Sequence, residues 1–353
     1  MLISNLIAGA KRAFITRNVD LSLATGFGGA APEAGDLVIA RVERIRQHAR
    51  LEDIYGRRVW LYPGDRLVLA AGSRYSTAQY RAELPHELGE CQLVAAGGIA
   101  ARVADRNAQV KPATDLFIEG ILVDSEGAPL NLKRFQRLPA APVLTGSALP
   151  AVVVFGSDMD AGKTTTACAA IRGLSNAGYR VQGAKLTGTG AGPDFWRMHD
   201  AGAVDVADFV DAGYASTVGM TPTQILEILS RIEQRALQHR ADVMVIEIAD
   251  GVLQPETSAL IADPDFVGRF DGALVAADNA ASAAYVAQRV AMAGLPILAI
   301  SGALTRSPVA CQEVVAATAL SVFTPDQLQT AEVIQTVLAP LFRGGDVALG
   351  AGE

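Results

Sequence analysis

The run Ala151-Val152-Val153-Val154-Phe155-Gly156-Ser157-Asp158-Met159-Asp160-Ala161-Gly162-Lys163-Thr164-Thr165 decides the fold of the second half of the chain. An apolar stretch of strand length enters a turn bounded by Gly156 and Gly162. Lys163 then opens a segment of helical spacing that reaches Asn176 and stops before Gly178. Strand, glycine turn and helix N-terminus together form a phosphate cradle. The glycines let backbone N–H groups turn inward, the helix start adds positive dipole, and Lys163 reaches the β/γ-phosphates. Thr164 is placed to ligate Mg²⁺ through its hydroxyl. The candidate nucleotide-binding residues are therefore Gly156, Ser157, Asp158, Met159, Asp160, Ala161, Gly162, Lys163, Thr164 and Thr165. Between Gly156 and Gly162 the spacing is one residue longer than the common G-x-x-x-x-G-K-[ST].

Outward from this motif the second half keeps one rhythm. Apolar strands are expected at 180–186, 243–248, 273–277 and 296–300, with helices at 223–239 and 281–293. Apolar strands alternating with amphipathic helices predict an α/β domain over 150–345, its mostly parallel sheet covered on both faces. The first half reads differently. Short apolar runs at 36–42, 58–62 and 66–71 are broken by Gly and Pro, which predicts small antiparallel hairpins. A compact β-barrel or sandwich of about the first 80 residues fits this pattern, within a smaller β-rich domain over 1–140. Segments 91–103 and 116–132 mix short strands with glycine-rich turns, and the prolines of 137–150 mark a linker.

Composition bounds the function classes. The chain has 353 residues, enough for two domains, with 50% apolar and 19% charged residues. A net charge of -7 argues against a nucleic-acid surface. Mean hydropathy is +0.26, yet the most apolar windows are strand-sized and too short for a membrane span. The apolar run 2–10 precedes Lys11 and Arg12, the reverse of a secretory signal, so a cytoplasmic location is expected. Cys91, Cys168 and Cys311 lack metal-ligand spacing and read as small hydrophobes, and the four histidines are too scattered for a zinc site.

The motif residues resemble a known family. Gly156 to Thr164 is similar to the P-loop of dethiobiotin synthetase, which has the same longer spacing. Gly156, Asp158, Gly162, Lys163 and Thr164 match, while Ser157, Asp160 and Ala161 are conservative replacements. Met159 stands where that family usually has a hydroxyl residue. Lys185, in Ala184-Lys185-Leu186-Thr187-Gly188-Thr189-Gly190, resembles a lysine of the family's Lys-Pro-Val loop that helps bind phosphate and a carbamate or carboxylate. A lysine ending a buried strand is costly unless it meets an anion. Thr189 corresponds to a hydroxyl residue of that loop.

Four apolar residues, Val243 to Ile246, lead into Glu247, the pattern of a Walker B strand whose acid holds Mg²⁺ or its water shell. Glu247 resembles the glutamate of the family's Glu-Gly-Ala-Gly-Gly loop, although Ile248-Ala249-Asp250 replaces the small residues. Asp250 is either a second metal-facing acid or a turn residue. The family's acids after the second strand make Asp205 and Asp208 further metal candidates, while solvated acids at a helix start explain them equally well. Asp194, Trp196, Arg197 and His199 form the expected substrate-facing loop. A second resemblance competes. Val204 to Gly213 is similar to a stretch in a P-loop family of long-uncharacterised bacterial proteins. One branch of it is assigned as a D-glutamate N-acetyltransferase, which implies a cradle for coenzyme A.

The first resemblance implies an ATP- and Mg²⁺-dependent enzyme, ligase-like, in which a carboxylate or carbamate oxygen attacks the γ-phosphate and an amine captures the acyl phosphate. Lys163 and Lys185 then neutralise phosphate charge, Thr164 and Glu247 hold Mg²⁺, and Asp160 orients the substrate's amine or a lysine. The alternatives are a coenzyme A-dependent N-acetyltransferase, a nucleotide-dependent switch or cofactor-assembly protein, and a small-molecule kinase. No Asn-Lys-x-Asp guanine motif follows the late strands, where 301–305 reads Ser-Gly-Ala-Leu-Thr, so ATP is favoured over GTP. The expected partners are a small-molecule substrate and, by resemblance, a second subunit in a homodimer, with no nucleic acid and no membrane.

Overall fold

The computed structural model describes residues 3–29, 31–140 and 147–342. Its contacts divide the chain into two units, one of residues 1–138, 187–196 and 208–219, the other of 139–186, 197–207 and 220–353. The single boundary expected between 140 and 150 is thus incomplete, because two segments of the second half belong to the first unit. Local bonds explain this. Gly192 N–H donates to Glu52 at 3.0 Å, and Arg137 N–H donates to the Asp211 carbonyl at 2.7 Å. Residues 141–146 of the expected linker, and the end of the expected domain at 343–345, lie outside the described residues.

The first unit carries α1 (Ile3–Ala8) and ten strands: β1 (Lys11–Arg12), β2 (Gly26–Gly28), β3 (Leu37–Arg44), β4 (Arg50–Glu52), β5 (Arg58–Trp60), β6 (Arg66–Ala71), β7 (Tyr80–Glu83), β8 (Gly89–Ala95), β9 (Ile99–Arg106) and β10 (Thr114–Val123). Strands β6, β3, β10, β8 and β9 pair antiparallel in that order, and a parallel β9–β6 pairing closes the ring. Closure removes the exposed edges that open sheets must protect. The expected barrel is therefore present but is not confined to about the first 80 residues, since 89–123 supplies three of its five strands. These were harder to read because β10 carries register shifts at Asp115/Leu116 and Ile118/Gly120, which break its alternation.

A half-buried histidine of this unit sets a pH dependence. His48 Nδ1 lies 2.9 Å from the Leu93 carbonyl, and the Thr114 hydroxyl donates to the His48 carbonyl at 2.8 Å. Desolvation, then the charge of Arg74, pushes the imidazole down to about 4, opposed by the Leu93 bond. The unfolded chain takes up a proton at this residue below about pH 6.5, whereas the folded chain stays neutral until about pH 4. Stability therefore falls as pH falls through that window, by on the order of 3 kcal/mol from this group. Urea unfolding at pH 7 and pH 4.5 measures it, and His48→Gln is expected to flatten the slope. An unchanged slope in that variant would assign the dependence elsewhere.

The second unit is built on β11 (Ala151–Gly156), β12 (Val181–Lys185), β13 (Asp205–Asp208), β14 (Val243–Glu247), β15 (Gly272–Ala276) and β16 (Ile297–Ser301), in the order β13-β12-β14-β11-β15-β16. The pairings β12–β14, β14–β11, β11–β15 and β15–β16 are all parallel. All of β11 is buried, as its unbroken apolar run requires for a central strand. The helices are α2 (Lys163–Asn176), α3 (Gly192–Asp200), α4 (Pro222–Gln238), α5 (Pro255–Ala262), α6 (Pro264–Val267), α7 (Ala280–Met292) and α8 (Pro308–Thr318), then two short ones. Helix α4 starts where Thr221 and Gln224 form a reciprocal capping box, and Asn279 caps α7. The α/β class read from the sequence is the fold observed. Among the described residues no helix is long and apolar enough to cross a membrane.

Candidate functional site

Strand β11 delivers the chain into the loop 157–162, which turns directly into α2. Two glycines permit the path. A Cβ on Gly156 would lie 2.5 Å from Lys163 Cγ and 2.7 Å from its Cδ, so only glycine lets the lysine fold back over the strand end. Gly162, the residue preceding α2, has φ 95°, and a Cβ there would stand 3.0 Å from Gly302 Cα. No side chain caps the start of α2. That leaves its first N–H groups to the loop interior, where an anion is favoured. Asp160 and Asp250 both hold a left-handed backbone, at φ 64° and 61°. Such conformations in non-glycine residues are costly and collect at binding sites.

The charged groups meet around this turn. Lys163 is only 6% exposed, and its ammonium donates to the Asp158 carbonyl at 2.7 Å. Desolvation lowers its pKa. Glu247, Asp250 and Asp158 act in the opposite direction, while Lys185 adds to the lowering. Thr164 Oγ1 donates to Glu247 Oε1 at 2.8 Å, and Glu247 is buried at the end of β14. In the sheet Lys185 is the register partner of Glu247. The candidates Lys163, Thr164, Lys185, Glu247 and Asp250 therefore share one neighbourhood. Two residues of the surrounding frame were missed in the sequence. Ser157 Oγ lies 3.1 Å from Asp278 Oδ1, and Ala303 N–H donates to the Ala161 carbonyl at 2.9 Å. Asp278 was detectable, as the first acid after an apolar strand. The Ala303 contact was not, since it is made by backbone alone.

The donor set fits a magnesium-bound polyphosphate. A hydroxyl and a carboxylate stand together beside a buried ammonium and an uncapped helix start. Among the described residues no group of three or more His, Cys, Asp or Glu is arranged to hold a metal ion. Mg²⁺ needs no such cage, because it keeps waters and phosphate oxygens and takes one or two protein ligands.

Other candidates are placed differently. Asp205, a metal candidate in the sequence, is engaged by an arginine. It opens β13, and its two oxygens accept from Arg235 Nε and Nη2, each at 2.7 Å, in a bidentate ion pair with α4. Asp208 belongs to the first unit, where Arg17 Nη2 donates to Asp208 Oδ1 at 2.7 Å and to Asp211 Oδ1 at 2.9 Å. Burial raises the Asp208 pKa against the pull of Arg17, with Asp211 adding repulsion. These acids anchor the chain. Arg17→Ala would strand two buried carboxylates and is expected to cost about 3–5 kcal/mol of folding stability. Denaturant unfolding checks this, and a loss under 1 kcal/mol would remove the anchoring role. The three acids of the stretch 204–213 are thus held by Arg235 and Arg17. Thr189 lies in the first unit, bridged to Ser216. The expected substrate loop is a helix, α3, with Asp194 and Trp196 in the first unit and Arg197 and His199 in the second. Arg197 Nη2 donates to Thr165 Oγ1 at 3.1 Å, which brings this candidate to the P-loop.

Strand, glycine turn, buried lysine, threonine and strand-end acid define a P-loop α/β protein. No protein-family model and no curated protein matches the chain. Similar solved structures include the signal recognition particle 54 kDa protein of Aeropyrum pernix in complex with GDP, 19% identical at TM-score 0.38, over 58% of this chain and 48% of that one. They also include the hydrogenase maturation factor HypB of Archaeoglobus fulgidus, 16% identical at TM-score 0.33, over 50% of this chain and 80% of that one. A duf1611 family protein of Anabaena variabilis is 16% identical at TM-score 0.36, over 57% of this chain and 61% of that one. The chain spans about half the length of the signal recognition particle protein it matches.

Proposed function

We propose that the second unit binds Mg²⁺-ATP in the 156–165 loop and activates a small-molecule carboxylate or carbamate by phosphoryl transfer, as in dethiobiotin-synthetase-like chemistry. The observation that carries the reading is the convergence of two lysines and a hydroxyl–carboxylate pair on one loop: Lys163 and Lys185 with Thr164 and Glu247, the latter two 2.8 Å apart. Bound Mg²⁺ would supply charge neutralisation between phosphate oxygens. Thr164 and Glu247 would hold it, one by its hydroxyl and the other by its carboxylate. Lys163 offers an ammonium that is already desolvated, so its attraction for phosphate is little screened by water. Lys185, at the end of β12, supplies a second cation on the side of Glu247 where an acidic substrate would be drawn. The chain's contribution in this reading is positioning and charge compensation, the main means by which proteins assist phosphoryl transfer.

An assay of ADP release against panels of carboxylic acids and amines tests the proposal. Release that requires both ATP and a carboxylate or carbamate supports it. Release unaffected by any acid, yet stimulated by a hydroxyl compound, would replace it with a kinase. Acyl transfer from acetyl-CoA without ATP use would replace it with an acyltransferase.

A further inference from the structure

Several arginines of the second unit are held by named partners. Arg180 is held by carbonyls, Arg235 by Asp205, and Arg269 by Glu233. Among the described residues no carboxylate pairs with Arg197, whose Nη2 meets the Thr165 hydroxyl at 3.1 Å. Its guanidinium is exposed, but the helical turn beneath it is fixed. Met198 is fully buried, and a Cβ built on Gly183 of β12 would lie 3.3 Å from Met198 Cβ and 3.2 Å from Ile171 Cδ1 of α2. Arg197 is therefore carried on a turn seated against β12. From there it reaches the first turn of α2, beside the helix start and the Lys163 ammonium, whose charge Glu247, Asp250 and Asp158 offset in part. A guanidinium at this helix start is attracted to a polyanion that enters the loop.

We infer that Arg197 is a further phosphate-binding cation beside the P-loop, additional to Lys163 and Lys185, which contacts the phosphate that lies against Thr165. The inference rests on the nucleotide reading proposed above. Its ligand chemistry is a nucleoside 5′-diphosphate ester, a group contained in both ATP and coenzyme A. A guanidinium suits this role because its planar fork binds two phosphate oxygens at once.

Calorimetric titration of Mg²⁺-ATP, ADP and coenzyme A into wild type, Arg197→Ala, Arg197→Lys and Lys163→Ala tests it. Arg197→Ala is expected to weaken whichever ligand the wild type binds by about tenfold or more. Arg197→Lys should recover part of the loss, because the charge stays and the fork goes. The melting temperature should not change, since the side chain is exposed. A loss seen for ATP and ADP assigns the contact to a nucleotide, and a loss seen for coenzyme A assigns it to an acyl carrier. Unaltered affinity in Arg197→Ala, with binding lost in Lys163→Ala, would overturn the inference while leaving the P-loop reading intact. Binding unaltered in both variants, or absent from the wild type for all three ligands, would overturn both.

Discussion

Lys163→Ala should lose nucleotide-dependent turnover by about 10²–10³-fold without losing stability. The functional loss follows from removing the cation aimed into the loop, where a charge-assisted bond to phosphate is roughly twice as strong as a neutral one. The stability expectation runs the other way. Lys163 is 6% exposed, its pKa is lowered chiefly by desolvation, and its ammonium meets the Asp158 carbonyl at 2.7 Å. A buried ammonium without a bound anion is an unfavourable component of the folded state. Alanine at this helix position is also a good helix former. The melting temperature of Lys163→Ala without ligand should therefore equal or exceed that of wild type. The wild type alone should then gain stability when Mg²⁺-nucleotide is added. A variant that simply unfolds would show that Lys163 is a structural residue. One that keeps wild-type turnover would remove the P-loop from the mechanism.

Glu247→Gln is expected to separate metal use from phosphate binding. The glutamine oxygen can still accept from Thr164, so the 2.8 Å contact and the end of β14 are preserved while the negative charge is removed. Loss of one carboxylate ligand or water anchor should raise the Mg²⁺ concentration for half-maximal activity by about tenfold or more. Binding of ADP without metal should hold or tighten, because a repulsive charge near the phosphates is gone. Titrating Mg²⁺ against ADP release measures the first effect, and metal-free calorimetry the second. Wild-type Mg²⁺ dependence in the variant would assign the metal to another group.

How much of this was legible depended on how far apart in sequence the interacting groups lie. The loop from Gly156 to Thr165 is a local object, and so is Glu247 at the end of an apolar strand; both were read from a few consecutive residues. The central strands β11, β12, β14, β15 and β16 and the helices α2, α4 and α7 were placed closely because each is a continuous apolar or amphipathic run. The short β13 and the helices α3, α5, α6 and α8 were not read. The barrel was only partly visible, because its closure joins Ala70 to Ile99 and its longest strand carries two register shifts. The ion-pair partners of Asp205 and Asp208 were hidden for the same reason. In sequence each is an acid without a partner. Their partners are Arg235, a helix away on α4, and Arg17, near the start of the chain. The assignment of 187–196 and 208–219 to the first unit was hidden likewise, since Glu52 and Arg17 lie more than a hundred residues from the groups they hold. Arg197 shows the converse case. Its residue type drew attention in the sequence, but only the contact with Thr165 directs it to phosphate rather than to a separate substrate.

Calorimetry of ATP, GTP and acetyl-CoA with and without Mg²⁺, on wild type and Lys163→Ala, decides whether the 156–165 loop takes a magnesium-bound nucleotide. Mg²⁺-dependent binding of ATP to the wild type is expected, with weaker binding of GTP and loss of ATP binding in the variant. Acetyl-CoA binding independent of Mg²⁺, with no heat from ATP, would contradict it and make the loop a coenzyme A cradle.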